Sequence, residues 1–221
     1  MLDIAPKNMK QSEVKNKKIS TEFSLDRSLY EEANVDHSSY KSKPGVREEV
    51  VREISKQKNE PAWMLEKRLQ ALALFLKTAL PNWGPSLKKL NLDEIVYYSR
   101  PGSAEQTRWE DVPEDIKKTF DKLGIPEAEK NQLAGVGAQY DSGMVYHSLQ
   151  KELSEKGVIF CNMDTALTEH ETLVKKYFMS RCVPINDHKF AMLHAAVWSG
   201  GTFIYVPKNV TVELPLQPIF G

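Results

Sequence analysis

Apolar residues recur at helical spacing through the first half of the chain and at alternate positions mainly near its end. Val46, Val50, Val51 and Ile54 fall on one face of a helix expected from about Val46 to Lys58. Pro61 is placed to open a second helix, where its missing N–H costs nothing. In that helix Leu65, Leu69, Leu72 and Leu76 form the apolar stripe, with Trp63, Met64 and Phe75 widening it. Lys67 and Arg68 mark its expected wet side, and Pro81 and Gly84 its end.

The middle of the chain reads as shorter pieces. "LNLDEIVYYSRPG" is a short extended segment closed by Pro101 and Gly102. "WEDVPEDIKKTFDKLGIPEAEKNQLAG" carries two short helices, with Asp111 and Glu114 at capping-box spacing and Gly124 as a stop. After Gly135, glycines divide β-like pieces in "GVGAQYDSGMVYHSL", "QKELSEKG" is a short helix and "VIFC" a buried strand. "MDTALTEHETLVKKYF" reads as one amphipathic helix with Met163, Leu167, Val174 and Tyr177 inward. "NDHKFAMLHAAVWSGG" reads as a helix with Asn186 or Asp187 at its N-cap. The tail then alternates at period two through Phe203 and Tyr205, and again through Val210, Val212 and Leu214, with Pro207 and Asn209 between them.

Residues 1–44 are polar, with isolated apolars such as Ile19, Phe23, Leu25 and Leu29. They bury too little to offset their ordering entropy and read as a flexible leader, with a short helical turn at "FSLDRSLYEE". The expected organisation is therefore a leader over 1–44, a helical region over 45–134, a mixed linking region over 135–198 and a β segment over 199–221. The fold class is α+β.

Composition narrows the function classes. The chain has 221 residues, 41% hydrophobic and 27% charged, with 30 basic and 30 acidic side chains. A balanced charge gives no field to recruit nucleic acid or an anionic membrane. No apolar run approaches the roughly 20 residues a spanning helix needs. Two cysteines make no disulfide framework, and a cytoplasmic protein is expected.

Cys161, His170, Cys182, His188 and His194 cluster in sequence and are soft-ligand types. They form no C-x-x-C or H-x-x-x-H pair, so a closed zinc or cluster site from this chain alone is not expected. Cys182 and His188 stand as candidate ligands to a shared site. An activated Cys–His pair has no helix N-terminus or nucleophile elbow behind it. "GVGAQ" is too short for a dinucleotide fingerprint, and no P-loop lysine follows it. Trp63, Trp83, Trp109 and Trp198 read as core or interface anchors.

Three long stretches carry a resemblance: "PAWMLEKRLQALALFLKTALPNWGPSL", "LAGVGAQYDSGMVYHSL" with "KGVIFCNMDTAL", and "CVPINDHKFAMLHAAVWSGGTFIYVPKNVTVELPLQ". Together they resemble the N-terminal part of the SufB type within the SufB/SufD family of iron–sulfur cluster assembly scaffolds. The resemblance implies an N-terminal helical region followed by the first rungs of a right-handed parallel β-helix, left incomplete. Trp198, Phe203, Tyr205, Val206, Val212 and Leu214 are then the residues leading into and forming the rungs.

It also implies a non-enzymatic scaffold fragment working with SufD-like and SufC-like (ATPase) partners, or with a separate chain supplying the C-terminal half. The cluster-building residues are expected in that half, so Cys161 and Cys182 take no role from the resemblance. No cofactor is expected on this chain alone; a transient iron–sulfur cluster and reduced flavin belong to the full complex. The shortness of the tail suggests a truncated or split gene product. The competing readings are a stand-alone metal-binding enzyme using Cys161, Cys182, His188 and His194, and a pure protein-interaction module.

Overall fold

A computed structural model describes residues 38–102, 104–106, 108–122, 135–140 and 142–220. The expected turn at "FSLDRSLYEE", the stop at Gly124 and the helix after Pro126 lie outside the described residues. Of the leader drawn over 1–44, Ser38–Lys41 forms strand β1.

Three helices build the main core. Helix α1, Glu48–Gln57, buries Val50, Val51 and Ile54, and Val46 packs just ahead of it. This is the face the apolar spacing predicts, because residues three and four apart share one side of a helix. Burying each such side chain contributes about 1.5–3 kcal/mol. Asn59, at φ 50°, turns the chain from α1 into α2, Ala62–Lys77. Pro61 is the N-cap of α2 and not its first helical residue.

The inward face of α2 differs from the expected one. Met64, Arg68, Ala71, Leu72 and Phe75 are buried, whereas Leu76 is 65% exposed. Arg68, expected on the wet side, is 0% exposed. The helix lies between α1 and α7, Lys189–Val197, so more than one leucine stripe is covered. It ends at Lys77, ahead of the expected Pro81 stop.

Strand β1 pairs antiparallel with β2, Ser99–Pro101. A 3-10 turn at Trp109–Asp111 precedes α3, Glu114–Lys122. Ile116 and Phe120 of α3, with Val112 before it, pack on Val136, Ala138 and Val145. Those last residues belong to a hairpin of β3, Gly135–Tyr140, and β4, Gly143–Leu149. Gly135 and Gly137 lie within β3 instead of dividing strands. A Cβ on Gly135 would sit 3.0 Å from the Ser148 carbonyl oxygen and 3.1 Å from Phe160 Cδ1. The glycine thus permits a second layer to press on the strand.

Helix α4, Lys151–Glu155, leads to β5, Ile159–Asn162, and then to α5, Met163–Glu169, and α6, Glu171–Tyr177. Asn162 caps α5 by accepting a hydrogen bond from Thr165 N at 2.7 Å. The expected single helix is broken at His170, whose φ of −124° and ψ of 31° are not helical. Its ring turns onto Phe203 instead, at 6.4 Å and 20°.

Strand β6, Thr202–Tyr205, pairs antiparallel with β5, Ile159 opposite Tyr205. The strand expected through Val210, Val212 and Leu214 does not form. Asn209 sits at φ 66° and Val210 N bonds back to the Pro207 oxygen, which makes a turn. Val210 and Val212 pack on Leu153 and Val158, and Leu214 is 47% exposed. Strand β7, Leu216–Phe220, then joins β3 in parallel, giving the order β4-β3-β7. The β segment over 199–221 therefore shares its sheets with strands of the 135–198 region.

Candidate functional site

The strongest electrostatic feature is a buried cluster around Arg68. Glu60 ends the α1–α2 turn, and its side chain is as fully covered as that of Arg68. Arg68 Nε donates to Glu60 Oε2 at 2.8 Å and Nη2 donates to Oε1 at 2.5 Å. Nη1 donates to the Ala196 carbonyl at 3.0 Å, on the last turn of α7. The guanidinium also lies 4.6 Å from the centre of the Trp198 ring. Phe178 meets that ring edge-on at 5.1 Å. One arginine thereby ties the start of α2, the end of α7 and the segment after α6 together. The bidentate fork is the geometry a guanidinium and a carboxylate favour.

A second pair sits beside it. Lys58 Nζ lies 2.8 Å from Asp164 Oδ2 on α5 and 6.0 Å from the Trp198 ring. Burial raises the Asp164 carboxyl above the usual range, and Lys58 opposes that shift. Two cations and two anions balance the cluster. Replacing a buried ion pair by packed apolar side chains is often neutral, whereas removing one partner alone is costly.

The cysteines and histidines are not gathered into one centre. Cys161 on β5 and His170 line an open groove of about 700 Å³, together with Ser148, Ser154 and Phe160. The Cys161 thiol is pushed up to about 12, first by burial and then by the carboxylates of Glu169 and Glu105. It is therefore a protonated thiol at neutral pH and a poor nucleophile. Cys182 is exposed. His188, not Asn186 or Asp187, caps α7: its Nδ1 accepts from Phe190 N at 3.2 Å and Ala191 N at 3.4 Å. Its ring stands perpendicular to that of Trp83, with ring centres 5.7 Å apart. His194 is exposed on α7. Among the described residues, no three His, Cys, Asp or Glu side chains are placed to hold a metal ion. No helix among them is long and apolar enough to cross a membrane.

Sequence reading missed Lys58, Glu60, Arg68 and Asp164. Glu60 and Arg68 are eight residues apart across a turn, outside any helical pairing rule. The only usable signal is an arginine one position from the leucine stripe, and a solvated face explains that equally well.

Three helices clamped by buried charge and joined to three small sheets define an α+β module. A family profile described as "SufBD protein N-terminal region" matches residues 46–218. The chain belongs to the SufBD family through that region. It is 58% identical over 185 residues to a Staphylococcus haemolyticus protein named an iron–sulfur cluster assembly SufBD family protein. Relatives of the same description from Staphylococcus aureus strains USA300 and NCTC 8325 are 57% identical over 185 residues. The alignments cover 84% of this chain and 40% of each relative, so the chain spans well under half the length of the proteins it matches.

Proposed function

We propose that this chain is the N-terminal region of a SufB-type scaffold that takes part in iron–sulfur cluster assembly with SufC-like and SufD-like partners. Its role is structural and non-catalytic. The helical core presents a rigid surface, and the sheet at β7 seeds a right-handed parallel β-helix. The iron–sulfur cluster is cargo, built on residues beyond the matched region. Reduced flavin belongs to the assembled complex, in the cytoplasm.

The observation that carries this reading is the family match over residues 46–218 together with relatives named for cluster assembly. The parallel pairing of β7 with β3 supports a solenoid start, since parallel rungs are the unit of a β-helix.

Co-expression with SufC-like and SufD-like proteins, followed by anaerobic purification, tests the proposal. The chain is expected to co-elute with at least one of them. Elution of the chain alone would overturn it. Stoichiometric metal on the lone chain, lost in the Cys182→Ala/His188→Ala pair, would instead favour the metal-enzyme reading.

A further inference from the structure

We infer that the turn carrying Trp83, just after α2, is a docking surface for an acidic amphipathic helix of another protein. This goes beyond a scaffold role, and its test does not depend on that role. Of the four tryptophans, Trp63, Trp109 and Trp198 pack on core clusters, whereas Trp83 is 63% exposed. Leu76, 65% exposed, and Leu80, 38% exposed, precede it along the chain. Several large apolar side chains left in water together mark a place where something binds. The backbone holds the Trp83 ring in position. Pro81 and Pro85 fix their own φ angles, and Gly84 turns the chain at φ 81°. The ring also rests against that of His188. A tryptophan already held on a stiff turn loses little freedom on binding and serves as an anchor.

Backbone and charge decide what the partner is. Residues 78–98, between α2 and β2, hold no helix or strand, only an isolated bridge from Val96 to Pro44. A connection longer than about 12–15 residues without such elements is usually functional. Its far end is anchored, since Leu92, Tyr97 and Tyr98 pack on the main core. The part around Trp83 offers side chains and no strand edge to extend. An amphipathic helix is the peptide form recognised through side chains alone. No acidic residue occurs from Lys67 to Leu92, and Lys77, Lys88 and Lys89 are exposed. Lys189 is engaged with the Phe75 and Thr78 carbonyls. Asp187, 4.0 Å from His188 Nε2, is the acid on the neighbouring segment, and the three lysines outweigh it. Apolar anchors among lysines complement a helix whose apolar stripe is bordered by Asp or Glu. A membrane surface takes an amphipathic helix lying flat, and residues 78–98 form none.

Selection on the full chain from a displayed library of random peptides of about 16 residues, long enough for four helical turns, tests this. Vesicles of phosphatidylcholine with phosphatidylglycerol are the second probe. The selected peptides are expected to carry apolar residues at i, i+4 and i+7, bordered by Asp or Glu. Their affinity should fall about thirtyfold in Trp83→Ser, as for an anchoring side chain. It should fall about fivefold in Lys88→Glu/Lys89→Glu, with a flatter dependence on salt. Leu76→Ser, on α2 and outside the turn, should also weaken binding, which separates lost contact from a disturbed Trp83 turn. An empty selection, basic or extended peptides, peptides indifferent to Trp83→Ser, or vesicle binding that Trp83→Ser abolishes would each overturn the assignment.

Discussion

Arg68 and Glu60 form a two-pronged ion pair across the turn at Pro61, and both side chains are sealed from water. The arginine's third nitrogen, Nη1, donates to the Ala196 carbonyl, so the pair reports on the seating of α7 as well as on the turn.

Removing one partner should be far worse than removing both. Arg68→Met leaves a buried carboxylate and Glu60→Leu leaves a buried guanidinium without its counter-charge. Each is expected to cost about 3–5 kcal/mol. The double variant Glu60→Leu/Arg68→Met should recover a large part of that loss. Urea unfolding of the three proteins checks this; a double variant as unstable as the sum of the singles would contradict it.

Cys161 and Cys182 should differ sharply in reactivity. With its thiol near 12, Cys161 is roughly one part in ten thousand thiolate at pH 8. Iodoacetamide should label exposed Cys182 readily and Cys161 only after denaturant is added, as read by peptide mass spectrometry.

The same shift has a defined sign in stability. A thiol raised in the folded state favours folding fully below its unfolded pKa, near ~8.5. That contribution fades as pH climbs from there toward 12. Cys161→Ser should therefore show a shallower loss of stability above about pH 8.5 than the parent chain. Equal slopes in the two proteins would remove Cys161 as the cause.

Gly135 is expected to tolerate no side chain. A methyl group there meets the Ser148 carbonyl and Leu216 Cδ2 at 3.0 Å, and backbone does not yield easily. Gly135→Ala should lose about 1–3 kcal/mol and loosen β7, which pairs with β3 at Leu216. Thermal melting and exchange at residues 216–219 would show both effects.

Lys189 joins two helices by donating to the Phe75 and Thr78 carbonyls at the end of α2. Lys189→Met removes both the donor and the ammonium that lies 4.3 Å from the centre of the Phe75 ring. A loss of about 1–3 kcal/mol is expected, with faster amide exchange in the last turn of α2. An unchanged melting temperature would show that water replaces the ammonium at no cost.

The sequence determined by itself what depends on neighbours along the chain. Val46, Val50, Val51 and Ile54 share a face because helical geometry brings them together, and they are buried as the spacing requires. Strand β5 was legible as a short apolar run, and the family was legible from long ordered motifs, which the match over 46–218 bears out. Tertiary structure decided the rest. Periodicity ranks residues by hydrophobicity, so it put Arg68 outside and Leu76 inside; a counter-charge at Glu60 and a ring at Trp198 reversed Arg68. The same holds for His170, which leaves the helix to meet Phe203, and for His188, which displaced two better-known capping residues. Pairings such as Ile159 with Tyr205 and Gly135 with Leu216 join residues far apart in the chain. No local pattern encodes them, because their free energy exists only once both strands have been brought together.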